Sequence, residues 1–117
     1  RSRLVSSPLA KILSSKSYNA NVTVIHSKTS NQKQFITQAD IFISAVGSAK
    51  LYDSSYFKQG ATIIDIGISS VDGKAYGDID TQNLSEVVSY RSPFPGGVGP
   101  ITVSALFFNL SRLVKTN

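Results

Sequence analysis

Two stretches of the chain, IFISAVG at residues 41–47 and ATIIDIGIS at residues 61–69, are almost wholly apolar and rich in isoleucine, with glycine entering only toward their ends. A strand with one wet face alternates apolar and polar residues. A strand without that alternation is covered on both faces, which happens chiefly in parallel sheets flanked by crossover helices. The segments around these two stretches supply such helices. PLAKILSS, from Pro8, carries Leu9, Ile12 and Leu13 at helical spacing behind a proline suited to a first turn. Ser30 to Ala39 reads as a modest amphipathic helix around Phe35 and Ile36, with Ser30 at its start. Thr81 to Val87 reads as a short helix. Ile101 to Val114, apolar at Val103, Leu106, Phe107, Leu110, Leu113 and Val114, reads as the strongest helix in the chain. NVTVIHS, Asn21 to Ser27, is β-branched between polar neighbours, which predicts a further strand. The fold class is α/β with a mostly parallel sheet.

Ligands of such sheets bind outside the carboxyl ends of the strands. Those ends fall at Arg1 to Pro8, His26 to Thr29, Ala45 to Ala49 and Gly67 to Ser69, and all four segments are small, polar or glycine-containing. The turn PFPGGVGP, residues 93–100, stands with them. Its prolines fix φ and its glycines admit positive φ, so it is a rigid bend entering a helix, either as a plain turn or as a loop that lets backbone approach a ligand. With 12 Lys and Arg against 7 acidic residues the formal charge is +5, which favours anionic partners. The basic residues are scattered rather than gathered in a stripe, which argues against a nucleic-acid face. No apolar run reaches the roughly 20 residues of a membrane-spanning helix. The absence of cysteine excludes disulfides and thiolate metal sites, and a single histidine, His26, argues against a zinc site and a Ser-His-Asp triad. No metal is expected.

A dinucleotide fold puts a carboxylate at the end of its second strand to hold the ribose hydroxyls of NAD. Here that position reads His26-Ser27-Lys28-Thr29, without Asp or Glu. A hydroxyl and a cation suit a ribose 2′-phosphate, with Arg1 or Arg3 able to contribute; the same residues would also serve as an ordinary polar turn.

These segments resemble, in order and spacing, the methylenetetrahydrofolate dehydrogenase/methenyltetrahydrofolate cyclohydrolase family of the FolD type. RSRLVSSPLAKIL is similar to its G-R-S-x-I-V-G-x-P-x-x-x-L-L, and NVTVIHSKT to its A-T-V-T-x-x-H-S-x-T. ADIFISAVG, GATIIDIGIS, GDID and PFPGGVGPIT are similar to A-D-I-x-I-x-A-x-G, G-A-x-V-I-D-V-G-I-N, G-D-V-D and P-V-P-G-G-V-G-P-M-T. The resemblance covers essentially residues 1–117 and implies a Rossmann-like doubly wound NAD(P)-binding domain, whose first strand and N-terminal catalytic lobe would lie ahead of Arg1.

The resemblance also implies roles. Arg1 and Ser2 match the phosphate turn, and Ser27 the serine that helps hold the 2′-phosphate. Ala45, Ile66, Ile68 and Thr102 match residues along the nicotinamide half, and Gly96 and Gly97 match glycines beside the folate. The implied activity is NADP-dependent oxidation of methylenetetrahydrofolate followed by hydrolysis to formyltetrahydrofolate. The family's catalytic lysine sits in a Y-x-x-x-K motif of the N-terminal lobe; here Tyr52 and Tyr56 are followed four positions on by Tyr56 and Gly60, so no catalytic residue is expected within this chain. Tetrahydrofolate derivatives, the catalytic lobe and a second copy are the implied partners, and the cytoplasm, or else the mitochondrion, the implied location. Ser6, Ala49, Ser69 and Phe94 depart from the pattern, standing for its Gly, Pro, Asn and Val. Ser6, which could crowd the phosphate turn, keeps open an alternative: a non-catalytic nucleotide-binding or interaction module.

Overall fold

The computed structural model describes residues 4–115, the side chain of Lys115 excepted. Three parallel strands form the central sheet in the order β1 (Ile41–Ser44), β2 (Thr62–Asp65) and β5 (Tyr90–Arg91). β1 and β2 run in register from Ile41 opposite Thr62 to Ser44 opposite Asp65, and Thr62 pairs with Tyr90. Helix α1 (Ser6–Leu13) begins with Pro8 in its first turn, and α2 (Gln32–Ile36) precedes β1. Between β2 and β5 stands an antiparallel hairpin, β3 (Ser69–Val71) and β4 (Lys74–Tyr76), turned by Asp72 and Gly73, both at positive φ. Such a pair is the composition a tight hairpin turn requires. Helix α3 (Val98–Lys115) ends the described chain.

The elements differ from expectation in four respects. Residues 61–69 are not one strand: β2 ends at Asp65, and Ser69 opens the hairpin strand β3. Residues 21–26 form no strand, because no neighbouring strand among the described residues offers them hydrogen bonds, and a strand exists only as part of a ladder. The helix expected from Ser30 is shortened to Gln32–Ile36; its entry residue is Asn31 in the left-handed conformation, and Ser30 does not cap it. The helix expected at Thr81–Val87 is a single 3₁₀ turn, Leu84–Glu86.

β1 and β2 are apolar in sequence, yet their burial alternates. Phe42 and Ser44 of β1, and Ile63 and Asp65 of β2, point inward, while Ile41 is 59% exposed. The inward set of each strand therefore begins with a large apolar residue and ends, at the carboxyl end, with a buried polar one. Phe42 and Ile63 join Ile36, Tyr52, Phe57, Ala61, Ile79 and Leu84 in one core. Phe42 meets the edge of Tyr52 at a centroid distance of 5.1 Å and a tilted Phe57 at 5.4 Å, arrangements aromatic rings favour. From Ile101 to Val114 the large apolar residues of α3, among them Leu106, Phe107, Leu110 and Leu113, are each more than half exposed. Truncating Phe42→Ala should cost about 3–5 kcal/mol, because the vacated space is walled by other rings and cannot collapse. A urea titration reads this as a lowered midpoint, and a loss below about 1 kcal/mol would remove Phe42 from the centre of the core.

Candidate functional site

The polar ends of β1 and β2 meet at Asp78, which lies in the segment following β4 and is completely buried. Its Oδ2 accepts hydrogen bonds from Ser44 Oγ at 2.5 Å and Val46 N at 2.7 Å, and its Oδ1 from Gly47 N and Ser48 N, each at 2.9 Å. Asp65 does the same one strand over. It accepts from Gly67 N at 3.1 Å, Asp78 N at 3.2 Å and Ile79 N at 3.1 Å. The two carboxylates form a chain: β2 holds the backbone of Asp78, and Asp78 holds the loop leaving β1. Residues 50–52 brace the same segment, with Lys50 N donating to Gly77 O and Tyr52 N to Asp78 O. Each carboxylate also explains a glycine. A Cβ at Gly67 would lie 2.0 Å from the Asp78 carboxylate, and one at Gly77 would lie 2.1 Å from Asp65 Oδ2.

Beside this network a cavity of about 500 Å³ opens between three segments that lie far apart in sequence. Ser6 enters from the start of α1, Ile25 to Lys28 from the second segment, and Ser44 to Val46 from the end of β1, over a floor that includes Phe42 and Tyr52. Burial, and then the Asp78 charge, hold the Tyr52 phenol above its usual pKa, so it is a neutral hydroxyl. The His26–Thr29 turn is tightly built. Thr29 N donates to His26 O at 2.7 Å, His26 N donates to Thr29 Oγ1 at 3.0 Å, and Lys28 N donates to His26 Nδ1 at 3.2 Å. This leaves Ser27 and Lys28 exposed at the corner of the turn and on the cavity's lining. None of the described residues of that lining is acidic.

The site residues expected from sequence are thus partly brought together. Ser27 and Ala45 share the cavity. Half-buried Ile66 donates its N–H to Ser44 O at 2.8 Å, and the Ile68 carbonyl would lie 3.6 Å from a Cβ at Gly47, so the 66–68 segment runs beside the loop that carries Ala45. Gly96, at φ +97°, Gly97 and Thr102 do not line this cavity. A Cβ at Gly97 would lie 2.2 Å from Pro93 O, which explains the glycine by the tightness of the bend itself. Thr102 donates its hydroxyl to Val98 O at 3.0 Å in the first turn of α3. The bend starts from a fixed point: Ser92 N donates to Ile63 O, and Ser92 Oγ accepts from Asp65 N, both at 2.9 Å. Arg1 and Ser2 lie outside the described residues.

Sequence reasoning passed over Asp65, Asp78, Ser44 and Ser92. A signal existed in the parity of TIID, where the last inward position of an apolar strand is an aspartate, and in the Gly77-Asp78 pair that follows the hairpin.

A parallel sheet with a crevice at its strand ends, rimmed by hydroxyls and a cation, is the arrangement of an α/β nucleotide-binding domain. Comparison with known proteins gives it a family. The model of the tetrahydrofolate dehydrogenase/cyclohydrolase NAD(P)-binding domain matches residues 1–117, and the chain belongs to that family. It is 44% identical over 115 residues to the bifunctional protein FolD of Halalkalibacterium halodurans and 42% identical to that of Lactobacillus helveticus, covering 98% of this chain in each case. It spans about 40% of the length of both relatives. Among solved structures, the bifunctional FolD methylenetetrahydrofolate dehydrogenase/cyclohydrolase of Campylobacter jejuni superposes on 99% of this chain and 41% of its own, with a TM-score of 0.92 and 37% identity. The Trypanosoma brucei dehydrogenase-cyclohydrolase, complexed with NADP cofactor and an inhibitor, matches 87% of this chain and 37% of its own at a TM-score of 0.77 and 35% identity.

Burial drives the Asp65 carboxyl above the ordinary carboxylate range, over the opposing pull of the Asp78 and Ile79 N–H groups and with the Asp78 charge adding to the rise. A folded pKa above the unfolded one means that the group's contribution to stability is fully present below the unfolded value and is lost as pH rises through the folded one. The stability of the wild type relative to Asp65→Asn, which does not titrate, should therefore fall as pH is raised from about 4. Paired urea midpoints measured across the acid range check this, and a difference independent of pH would contradict it.

Proposed function

We propose that this chain is the NADP-binding part of a bifunctional folate enzyme that oxidises methylenetetrahydrofolate to methenyltetrahydrofolate and hydrolyses the product to formyltetrahydrofolate. The observation that carries the cofactor half of this reading is the cavity shared by Ser27, Lys28 and Ala45, which offers a hydroxyl and an ammonium where an NAD-selective site needs a carboxylate. The folate half rests on family membership and on the activities in the relatives' names.

NADP, when bound, supplies a hydride acceptor; this chain supplies its position. Ser27 and Lys28 hold the 2′-phosphate, with Arg1 and Ser2 on the phosphate turn. Ala45, Ile66 and Ile68 line the nicotinamide half, and Thr102 with Gly96 and Gly97 carries the boundary to the folate. Holding two rings in near-attack geometry is itself a large catalytic contribution. The proton chemistry belongs to a catalytic lobe of the same protein. A second copy of the protein is the remaining partner, and the exposed apolar residues of α3 are surface open to protein contact. A reducing, cytoplasmic setting fits a chain without cysteine.

Calorimetric titration of NADP and NAD into the full-length protein tests the reading. NADP should bind at least about tenfold more tightly, a difference of about 1.4 kcal/mol. Absence of binding by either would overturn it in favour of a non-catalytic module, with Ser6, which lines the cavity, in place of the family's glycine. In the same assay Ser27→Asp should weaken NADP by about tenfold or more through charge repulsion while changing NAD by no more than about twofold. Equal losses would remove Ser27 from the phosphate site.

A further inference from the structure

We propose that Asp78 is a positioning residue for the cofactor crevice: its buried carboxylate fixes the Ala45–Ser48 turn so that the carbonyls of that turn face the ligand. The inference rests on the NADP reading above, and goes beyond it by assigning the orientation of the crevice wall to a residue that never reaches the ligand.

Three successive N–H groups, those of Val46, Gly47 and Ser48, converge on one carboxylate, with the Ser44 hydroxyl as a fourth donor. Consecutive N–H groups curled in this way form a concavity that binds anions. Here the anion is internal, and Gly47, at φ +77°, supplies the left-handed residue that curls the turn. In a trans peptide the C=O points opposite to the N–H of the next residue. With the N–H groups of Val46, Gly47 and Ser48 aimed at Asp78, the carbonyls of Ala45, Val46 and Gly47 point away from it. Ala45 and Val46 are also residues that line the cavity. Outward carbonyls are acceptors, and the group on a nicotinamide that needs acceptors is the carboxamide NH₂. Asp78 therefore settles which polarity the crevice wall presents. Without its charge the three N–H groups would lose their common acceptor, and the turn would be free to rotate peptides toward the ligand.

Two neighbours hold the carboxylate in place. Asp65 takes the backbone N–H of Asp78 itself, and Gly67 leaves the space the carboxylate fills. Gly67 has no positive φ, and the Cβ of an alanine there would lie 2.0 Å from the Asp78 carboxylate and displace it.

The test uses the full-length protein and its Asp78→Asn and Gly67→Ala variants. The amide keeps one oxygen and puts an NH₂ in place of the other, facing either Gly47 N and Ser48 N or Val46 N and the Ser44 hydroxyl, so at least one N–H group loses its acceptor at nearly unchanged volume. Both variants should weaken NADP by about tenfold or more in calorimetry and lower the dehydrogenase rate, while methenyltetrahydrofolate hydrolysis, which has no nicotinamide step, stays within about twofold. Hydrogen exchange supplies a readout independent of activity. In the wild type the amides of Val46, Gly47 and Ser48 should be protected well beyond other loop amides, and in Asp78→Asn that protection should drop by about a hundredfold. Wild-type NADP binding that survives unchanged in both variants would overturn the positioning role and leave the NADP reading intact. Absence of wild-type binding would overturn the NADP reading and the positioning role together. Equal loss of both activities would reduce Asp78 to a fold-stabilising residue. Should Asp78→Asn fail to fold, the wild-type exchange pattern and Gly67→Ala decide the matter, and free-loop exchange at the three amides would overturn the proposal.

Discussion

Everything at the carboxyl edge of the sheet depends on the solvation of two buried carboxylates by backbone N–H groups. A charge taken from water into a protein interior is costly unless donors replace the lost water. Asp65 receives three N–H groups, and Asp78 three N–H groups and a hydroxyl. The donors come from the loop after β1, the segment after β2 and the segment after β4, so satisfying the two charges requires that these loops converge. Their conformations are consequently fixed from inside. The geometry also excludes side chains at Gly67 and Gly77, where a Cβ would lie 2.0 Å and 2.1 Å from carboxylate atoms.

The sequence was most readable where apolar patterning within one segment is enough to indicate the element. The isoleucine-rich stretches became β1 and β2, and the apolar spacing from Ile101 to Val114 became most of α3. It was least readable where a segment depends on a neighbour. Residues 21–26 have the composition of a strand, but composition cannot supply the partner whose hydrogen bonds make one. The Asp72-Gly73 turn shows the opposite case: its signal is local and complete, yet the apolar run at 61–69 reads as a single strand with no hairpin after it. Apparent two-sided burial in IFIS and TIID concealed an alternation, because Ile41 and Ile64 are as apolar as the inward Phe42 and Ile63.

The candidate site was legible in a corresponding way. The rule that ligands gather at strand ends located His26–Thr29, Ala45 and the 66–68 segment, and the structure sets these near one another. Ser27 stood out because the expected acid was missing. Asp78 did not stand out, since an aspartate in a polar stretch reads as surface, and only three dimensions show it to be completely buried. The bend at Pro93 to Pro100 was recognisable as a bend from its prolines and glycines. The anchor that aims it, Ser92 against Ile63 and Asp65, depends on β5 lying beside β2, which local sequence does not encode.

The internal anion also bears on where an external one can go. A turn of three inward N–H groups is the kind of feature that elsewhere cradles phosphate, and Asp78 already fills it. A phosphate approaching that end of the crevice would meet outward carbonyls, with a buried negative charge behind them. The His26–Thr29 turn carries the Ser27 hydroxyl and the Lys28 ammonium, with no carboxylate among the described residues of the lining. With the Ala45–Ser48 turn oriented as proposed, the crevice carries acceptors at that turn and donors at the His26–Thr29 turn. For the NADP proposed as ligand, with a phosphate on its adenosine and a carboxamide NH₂ on its nicotinamide, that arrangement would disfavour the reversed orientation. On this argument a single buried aspartate contributes to direction as well as to position, by denying the phosphate a second place to bind.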